Sequence, residues 1–170
     1  MRADLDALLT AIYVLVDDFL PERKGPGAPP RITDAELITL AIAQVLLGLP
    51  NDRQFLALAR YRLGHLFPYL PKQPGYNKRL RRLVPQITSS INYLAFVSPS
   101  FCDGIRLLDS TPVPCGQSRE TTRRSEFAGL AGYGYCRSHS RYFWGFRLYL
   151  VCARDGTPIG FELAAANAPE

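Results

Sequence analysis

The spacing of hydrophobic residues changes from helical to strand-like near residue 100, and this change constrains the fold more than any other feature. In residues 3–20 the apolar side chains recur every three or four positions, as on one face of an amphipathic helix. After Gly104 the pattern becomes short apolar and aromatic runs separated by turn residues, which is typical of strands. The sequence therefore predicts an α+β protein with a helical module at residues 1–97 and a strand-containing module at residues 104–170.

Capping and breaking residues predict where the helices begin and end. Residues 33–36 (Thr-Asp-Ala-Glu) form a capping box before an apolar run, and Asn51 can cap the helix that follows. Asn77 can cap another helix that reaches about Val97, which Pro85 must either kink or divide. Two loops are predicted where proline and glycine concentrate, at residues 21–31 and 64–76.

Three strands are predicted in the second module. Residues 105–109 form a short apolar run, and residues 142–151 and 157–163 form longer runs of aromatic and β-branched side chains. Asp155 and Gly156 stand between the last two runs. Since Asp-Gly between strand patterns is a strong hairpin signal, these two strands should pair in antiparallel fashion.

Composition narrows the class of protein. The chain has 170 residues, 47% of them apolar, and a formal net charge of +5, so it can bury a core and favours an anionic partner. No stretch is apolar enough to span a membrane, and four aspartates among the first 20 residues argue against a signal peptide.

The four cysteines form no Cys-x-x-Cys pair. Cys136 and His139 could be two ligands of a metal, although a buried, apolar role for Cys136 is the commoner one. We therefore expect a reduced, cytoplasmic protein without a membrane partner.

Basic residues concentrate in residues 53–82, which contain eight lysines and arginines and no acid. Within this stretch, Lys78, Arg81 and Arg82 are spaced to share one helical face. Such a face is expected of a helix lying on DNA phosphates, although a solvated face balanced by distant acids would have the same pattern. The candidate DNA contacts here are Lys78, Arg79, Arg81 and Arg82.

A second group of arginines is interleaved with aromatic residues between positions 119 and 147. Aromatic rings beside arginines suit unstacked or distorted nucleic acid, whereas strand packing would also place aromatic residues here. Four of these arginines complete the set of candidate DNA contacts: Arg123, Arg124, Arg141 and Arg147.

Asp109 lies at the end of the first strand run, before a segment that two prolines interrupt. The run reads as a buried strand, and an unpaired carboxylate is costly to bury. Asp109 therefore either starts an Asx-type turn together with Ser110 or serves as a ligand for a metal.

Several ordered segments closely resemble bacterial insertion-sequence transposases of the DDE class. The matching segments are residues 107–114 (Leu-Leu-Asp-Ser-Thr-Pro-Val-Pro), 123–125 (Arg-Arg-Ser), 141–148 (Arg-Tyr-Phe-Trp-Gly-Phe-Arg-Leu) and 155–158 (Asp-Gly-Thr-Pro), with residues 76–83 similar to the N-terminal part of such enzymes. The resemblance implies a ribonuclease-H-like domain whose first three antiparallel strands are present. It also implies that Asp109 is the first acid of a catalytic triad that holds two Mg²⁺ or Mn²⁺ ions in the complete enzyme.

The chain departs from this family in two ways. It ends after the third predicted strand, so the second Asp and the Glu of the triad are not identified, and Tyr149 stands where the family usually has His. We therefore expect the N-terminal portion of a transposase that is inactive alone. It would bind the terminal repeats of its element as double-stranded DNA, with a C-terminal transposase polypeptide or a second copy as partner.

Two alternative functions remain open at this point. The chain could be a catalytically inactive DNA-binding module that competes with intact transposase, or a helical protein without a DNA role. The expected activity of the complete enzyme is DNA transposition by metal-dependent phosphodiester hydrolysis and strand transfer.

Overall fold

The computed structural model describes residues 4–21, 30–116, 118–138 and 140–168. Within these ranges the fold is α+β, with six α-helices, one short 3₁₀-helix at Pro99–Cys102 and a four-stranded antiparallel sheet. The chain divides into two compact units, Met1–Tyr93 and Leu94–Glu170, which we call the helical unit and the sheet unit. The helices are α1 (Leu5–Phe19), α2 (Asp34–Leu46), α3 (Asp52–Arg62), α4 (Gln73–Arg82), α5 (Val84–Val97) and α6 (Arg119–Arg124).

The predicted caps of α2 and α3 are confirmed. In the capping box, the Glu36 amide donates to Thr33 Oγ1 at 3.0 Å, and the Thr33 amide donates to Glu36 Oε2 at 2.6 Å. The Gln54 amide donates to Asn51 Oδ1 at 3.1 Å. Each contact satisfies an amide that the first helical turn leaves without a partner, so both helices begin where the local sequence predicts.

Apolar faces of α1, α2 and α3 form the core of the helical unit. Leu9, Leu37, Leu40 and Phe55 are each at most 1% exposed. Tyr76 of α4 is also fully buried, and its hydroxyl donates to Gln44 Oε1 at 2.8 Å. Burial, followed by the charge of Asp52, raises the pKa of Tyr76, so the hydroxyl stays a donor.

The predicted start of α4 at Asn77 is wrong. The helix begins at Gln73 after Lys72, so the predicted 64–76 loop is shorter than expected. Pro74 lies in the first turn, where its missing N–H costs nothing. At the other end Pro85 divides the helix, because α4 stops at Arg82 and α5 begins at Val84. The other predicted loop covers residues 21–31, and residues 22–29 of it lie outside the described residues.

β3 (Arg141–Ala153) is the central strand of the sheet. β1 (Arg106–Gly116) pairs with one side of β3 along almost the whole length of β1, and Asp109 lies opposite Leu150. On the other side β2 (Gly132–Cys136) pairs with the first part of β3, and β4 (Pro158–Ala165) pairs with the remainder. β2 and β4 therefore lie end to end along the same edge of β3.

β1 differs from the predicted short, buried strand in both length and burial. It continues through Pro112 and Pro114, and residues 106–109 are exposed. Among the described residues β1 pairs with β3 alone, so it is an edge strand, where proline is tolerated because one row of backbone groups has no ladder partner. Asp109 consequently lies within an exposed strand and not at the end of a buried one.

The β3–β4 hairpin is confirmed, and its turn accounts for Asp155. Gly156 has φ +86°, a conformation that favours glycine. Asp155 accepts hydrogen bonds from the Ser100 hydroxyl at 2.6 Å and from the Thr157 amide at 2.9 Å. These contacts, that of Ser100 first, hold the pKa of Asp155 below its ordinary value. Asp155 therefore has a structural role.

β2 and α6 are absent from the sequence prediction, which expected three strands. β2 reads Gly-Tyr-Gly-Tyr-Cys, and its two glycines weaken the strand signal. The tertiary structure explains the glycines, because a Cβ at Gly134 would lie 2.5 Å from the carbonyl oxygen of Ala166. The chain after β4 thus passes too close to β2 for a side chain there.

Candidate nucleic-acid interface

The basic residues of α4 differ in how far their side chains are exposed. Lys78, Arg81 and Arg82 are exposed. Arg79 instead donates to the Ile32 carbonyl oxygen at 2.7 Å and forms an ion pair with Asp34, with its side chain only 25% exposed. Arg79 therefore joins α4 to the start of α2, whereas Lys78 and Arg82, four residues apart, present charge on one face of the helix.

A second basic feature of the helical unit lies where α3 meets the start of α4. Arg53, Arg60 and Lys72 line a shallow depression of about 210 Å³ together with Leu56. Arg60 is fixed by hydrogen bonds to the carbonyl oxygens of Leu56 at 3.2 Å and Pro71 at 3.1 Å. The seven-residue spacing of Arg53 and Arg60 could have shown that they share a face, but the proximity of Lys72 depends on the fold.

The four predicted arginine contacts of the sheet unit do not form one cluster of equivalent side chains. Arg123 and Arg124 lie exposed on α6, where Arg124 approaches Glu120 at 3.6 Å, and Arg141 is exposed at the start of β3. Arg147 is partly buried beside a cleft of about 590 Å³. It donates to Ser110 Oγ at 3.3 Å and to the Tyr135 carbonyl oxygen at 3.2 Å.

Asp109 is exposed, and it accepts a hydrogen bond from the amide of Ser110 at 2.8 Å. Register places Asp109 on the same sheet face as Leu150 and Phe161, because directly paired residues point to one side. Glu162 pairs with Tyr149 one position away and therefore lies on the opposite face. The strand acids Asp109 and Glu162 are thus not arranged to share an ion.

Among the described residues, no group of three or more His, Cys, Asp or Glu side chains could hold a metal. A pair of Mg²⁺ or Mn²⁺ ions about 4 Å apart needs several carboxylates, at least one of them bridging. Asp109 by itself does not meet this requirement. Of the Cys136 and His139 pair, Cys136 is buried with its Sγ 3.2 Å from Ser138 Oγ, and His139 lies outside the described residues.

Within the described ranges, none of the helices combines the length and apolar character that a membrane span needs.

The chain matches no protein-family model, no curated protein and no solved structure. The side chains and their positions are therefore the basis for assigning a function.

Proposed function

We propose that this protein is the N-terminal portion of an insertion-sequence transposase of the DDE class, and that its helical unit binds the element ends as duplex DNA. The observation that carries the proposal is the exposed basic face of α4, Lys78 and Arg82 with Arg81 beside them, in a stretch without acids. Lysine and arginine side chains of this kind neutralise phosphates without reading sequence.

The sheet supports the catalytic part of this proposal at the level of topology. β3 pairs in antiparallel fashion with both β1 and β4, as the three strands that open the ribonuclease-H-like domain of the resembling enzymes do, although α6 and β2 lie between β1 and β3 in the chain. Asp109 is the candidate first acid by the family resemblance, and β1 presents it exposed. The other acids would come from a C-terminal transposase polypeptide or from a second copy.

The second candidate is a DNA-binding module without catalytic activity, which would occupy element ends in competition with intact transposase. The absence of a three-ligand group among the described residues favours it. Both candidates require the same DNA contacts on α4, and they differ only in whether Asp109 contributes to chemistry.

The proposal predicts a salt-dependent affinity for duplex DNA that depends on Lys78 and Arg82. Each contact with a phosphate contributes about 0.9 to the slope of log K against log salt concentration. We expect Lys78→Ala and Arg82→Ala each to reduce the slope by about one unit, and the double variant by about two. Fluorescence anisotropy of a labelled duplex at several salt concentrations measures this slope.

Arg154→Ala removes the same charge from the exposed turn between β3 and β4 and is the matched control. Its slope should equal that of the unaltered protein. If the double variant also keeps the full slope, the α4 face is not the contact surface and the proposal fails.

A further inference from the structure

Three tyrosines lie exposed on one face of the sheet where β2 pairs with β3. Tyr133, Tyr135 and Tyr142 are 59%, 42% and 81% exposed. Tyr135 is directly opposite Tyr142, with ring centroids 4.9 Å apart, and Tyr133 is directly opposite Trp144. We call the three exposed rings the tyrosine platform. Core packing explains the buried Trp144, which is 5% exposed, but it does not explain the platform.

The platform borders a cleft of about 390 Å³. Tyr133, Tyr142 and Trp144 contribute aromatic walls, and Thr122 contributes a polar one. A Cβ at Gly116 would lie 3.3 Å from the Trp144 ring, so the indole packs closely against β1. The volume falls within the range of about 300–1,000 Å³ that small-ligand sites occupy.

The charge of this part of the sequence favours one kind of occupant. Between residues 118 and 147 the sequence contains six arginines against two glutamates. An excess of positive charge favours an anionic partner, and exposed aromatic rings bind the faces of planar groups. Nucleotides that are not base-paired combine a phosphate with an open base face, whereas a duplex hides its base faces within the stack.

We propose that the tyrosine platform stacks the bases of single-stranded DNA. The inference rests on the proposed function and deepens it, because it adds unpaired nucleotides, bound by the sheet unit, to the kinds of element-end DNA that the chain would bind. Tyr142 is the main stacking residue, since it is the most exposed ring of the tyrosine platform and lines the cleft.

The test compares affinities for a labelled oligothymidylate and for a labelled duplex by fluorescence anisotropy. Removing one stacked ring weakens binding by at least about 5-fold. We expect this loss for Tyr142→Ala with the oligothymidylate, little change for Tyr142→Phe, which keeps the ring, and unaltered affinity of both variants for the duplex.

Tyr61→Ala is the matched control, because Tyr61 is 90% exposed on α3 and distant in sequence from the platform. It should bind both probes as the unaltered protein does. Trp144 is the only tryptophan in the chain, so quenching of its fluorescence by the unlabelled oligothymidylate reports occupancy of the cleft directly.

Four outcomes would overturn the inference. These are unchanged oligothymidylate affinity of Tyr142→Ala, no quenching of Trp144, tighter binding of oligouridylate than of oligothymidylate, and duplex binding without any single-strand binding. The last outcome leaves the proposed function intact, whereas failure to bind either DNA would contradict both.

Discussion

At the residue scale, individual contacts decide what a charged or small side chain can do. Lys78 and Arg79 are neighbours on a helix, yet Lys78 is exposed while Arg79 is held by Asp34 and the Ile32 carbonyl oxygen. A similar distinction holds for glycines of the sheet. Gly145 faces the backbone of β1 at close range, whereas Gly160 has space around it.

Gly145→Ala should destabilise the sheet unit. Its Cβ would collide with the carbonyl oxygen of Val113 and lie 2.9 Å from the amide nitrogen of Cys115, and neither backbone atom can move without disturbing the β1–β3 ladder. We expect a loss of about 1–3 kcal/mol in the free energy of unfolding, as for other overpacked sites. Urea unfolding followed by the fluorescence of Trp144 measures it.

The control for this change is Gly160→Ala. The nearest atom to its Cβ would be the Val151 Cβ at 3.8 Å, an ordinary contact, so stability should change by at most about 0.5 kcal/mol. Equal stability of the two variants would show that β1 does not approach Gly145 as described.

At the element scale, the helices and strands differ in how much apolar surface each buries. Of the residues that the structure describes, fifteen form the core cluster to which α2 and α3 contribute most of their buried side chains, whereas the buried cluster of the sheet unit comprises Cys136, Phe143 and Ala166. β4 has Phe161 and Leu163 exposed at 39% and 52%. Burial of apolar area is the main stabilising term in folding, so the two sets of elements should differ in local stability.

Hydrogen exchange should therefore be slower in α2 and α3 than in β4. Amides within Asp34–Leu46 and Asp52–Arg62 open only when the helical core opens, whereas those of Pro158–Ala165 belong to a strand with an unpaired edge. Mass spectrometry of peptides from each segment gives the rates. Equal or greater protection in β4 would mean that a partner covers the sheet.

At the scale of the whole molecule, DNA binding and catalysis make different demands on the chain. Phosphate contacts need only exposed cations, and the helical unit supplies them. Two-metal chemistry needs several carboxylates within a few ångströms, and the described residues offer no such group around Asp109. The proposed DNA binding can thus reside in this chain, whereas the proposed cleavage would require further metal ligands.

We expect the purified chain to produce no strand cleavage or strand transfer with Mg²⁺ or Mn²⁺. The substrate for this measurement is a supercoiled plasmid that carries the genomic DNA flanking the coding sequence, with conversion to nicked circles as the readout. Asp109→Asn should behave as the unaltered chain does. Metal-dependent nicking that Asp109→Asn abolishes would show instead that the chain completes a catalytic site.

The sequence by itself determined the α+β class and the features that depend on nearby residues. Thr33 and Asn51 cap helices, Pro85 divides one, and Asp155 with Gly156 forms a hairpin, because each effect acts across only a few positions. The basic stretch 53–82 was visible for the same reason, since it is a continuous segment, and the helical period predicts that Lys78 and Arg82 share a face.

Only the tertiary structure decided the features that depend on residues distant in sequence. The ion pair of Arg79 with Asp34, the exposure of Asp109 on an edge strand and the addition of β2 to β3 all join separated segments. The exposure of Tyr142 beside the buried Trp144 has the same origin. Local patterns show which face a residue can occupy, but the packing of other segments determines whether that face is covered.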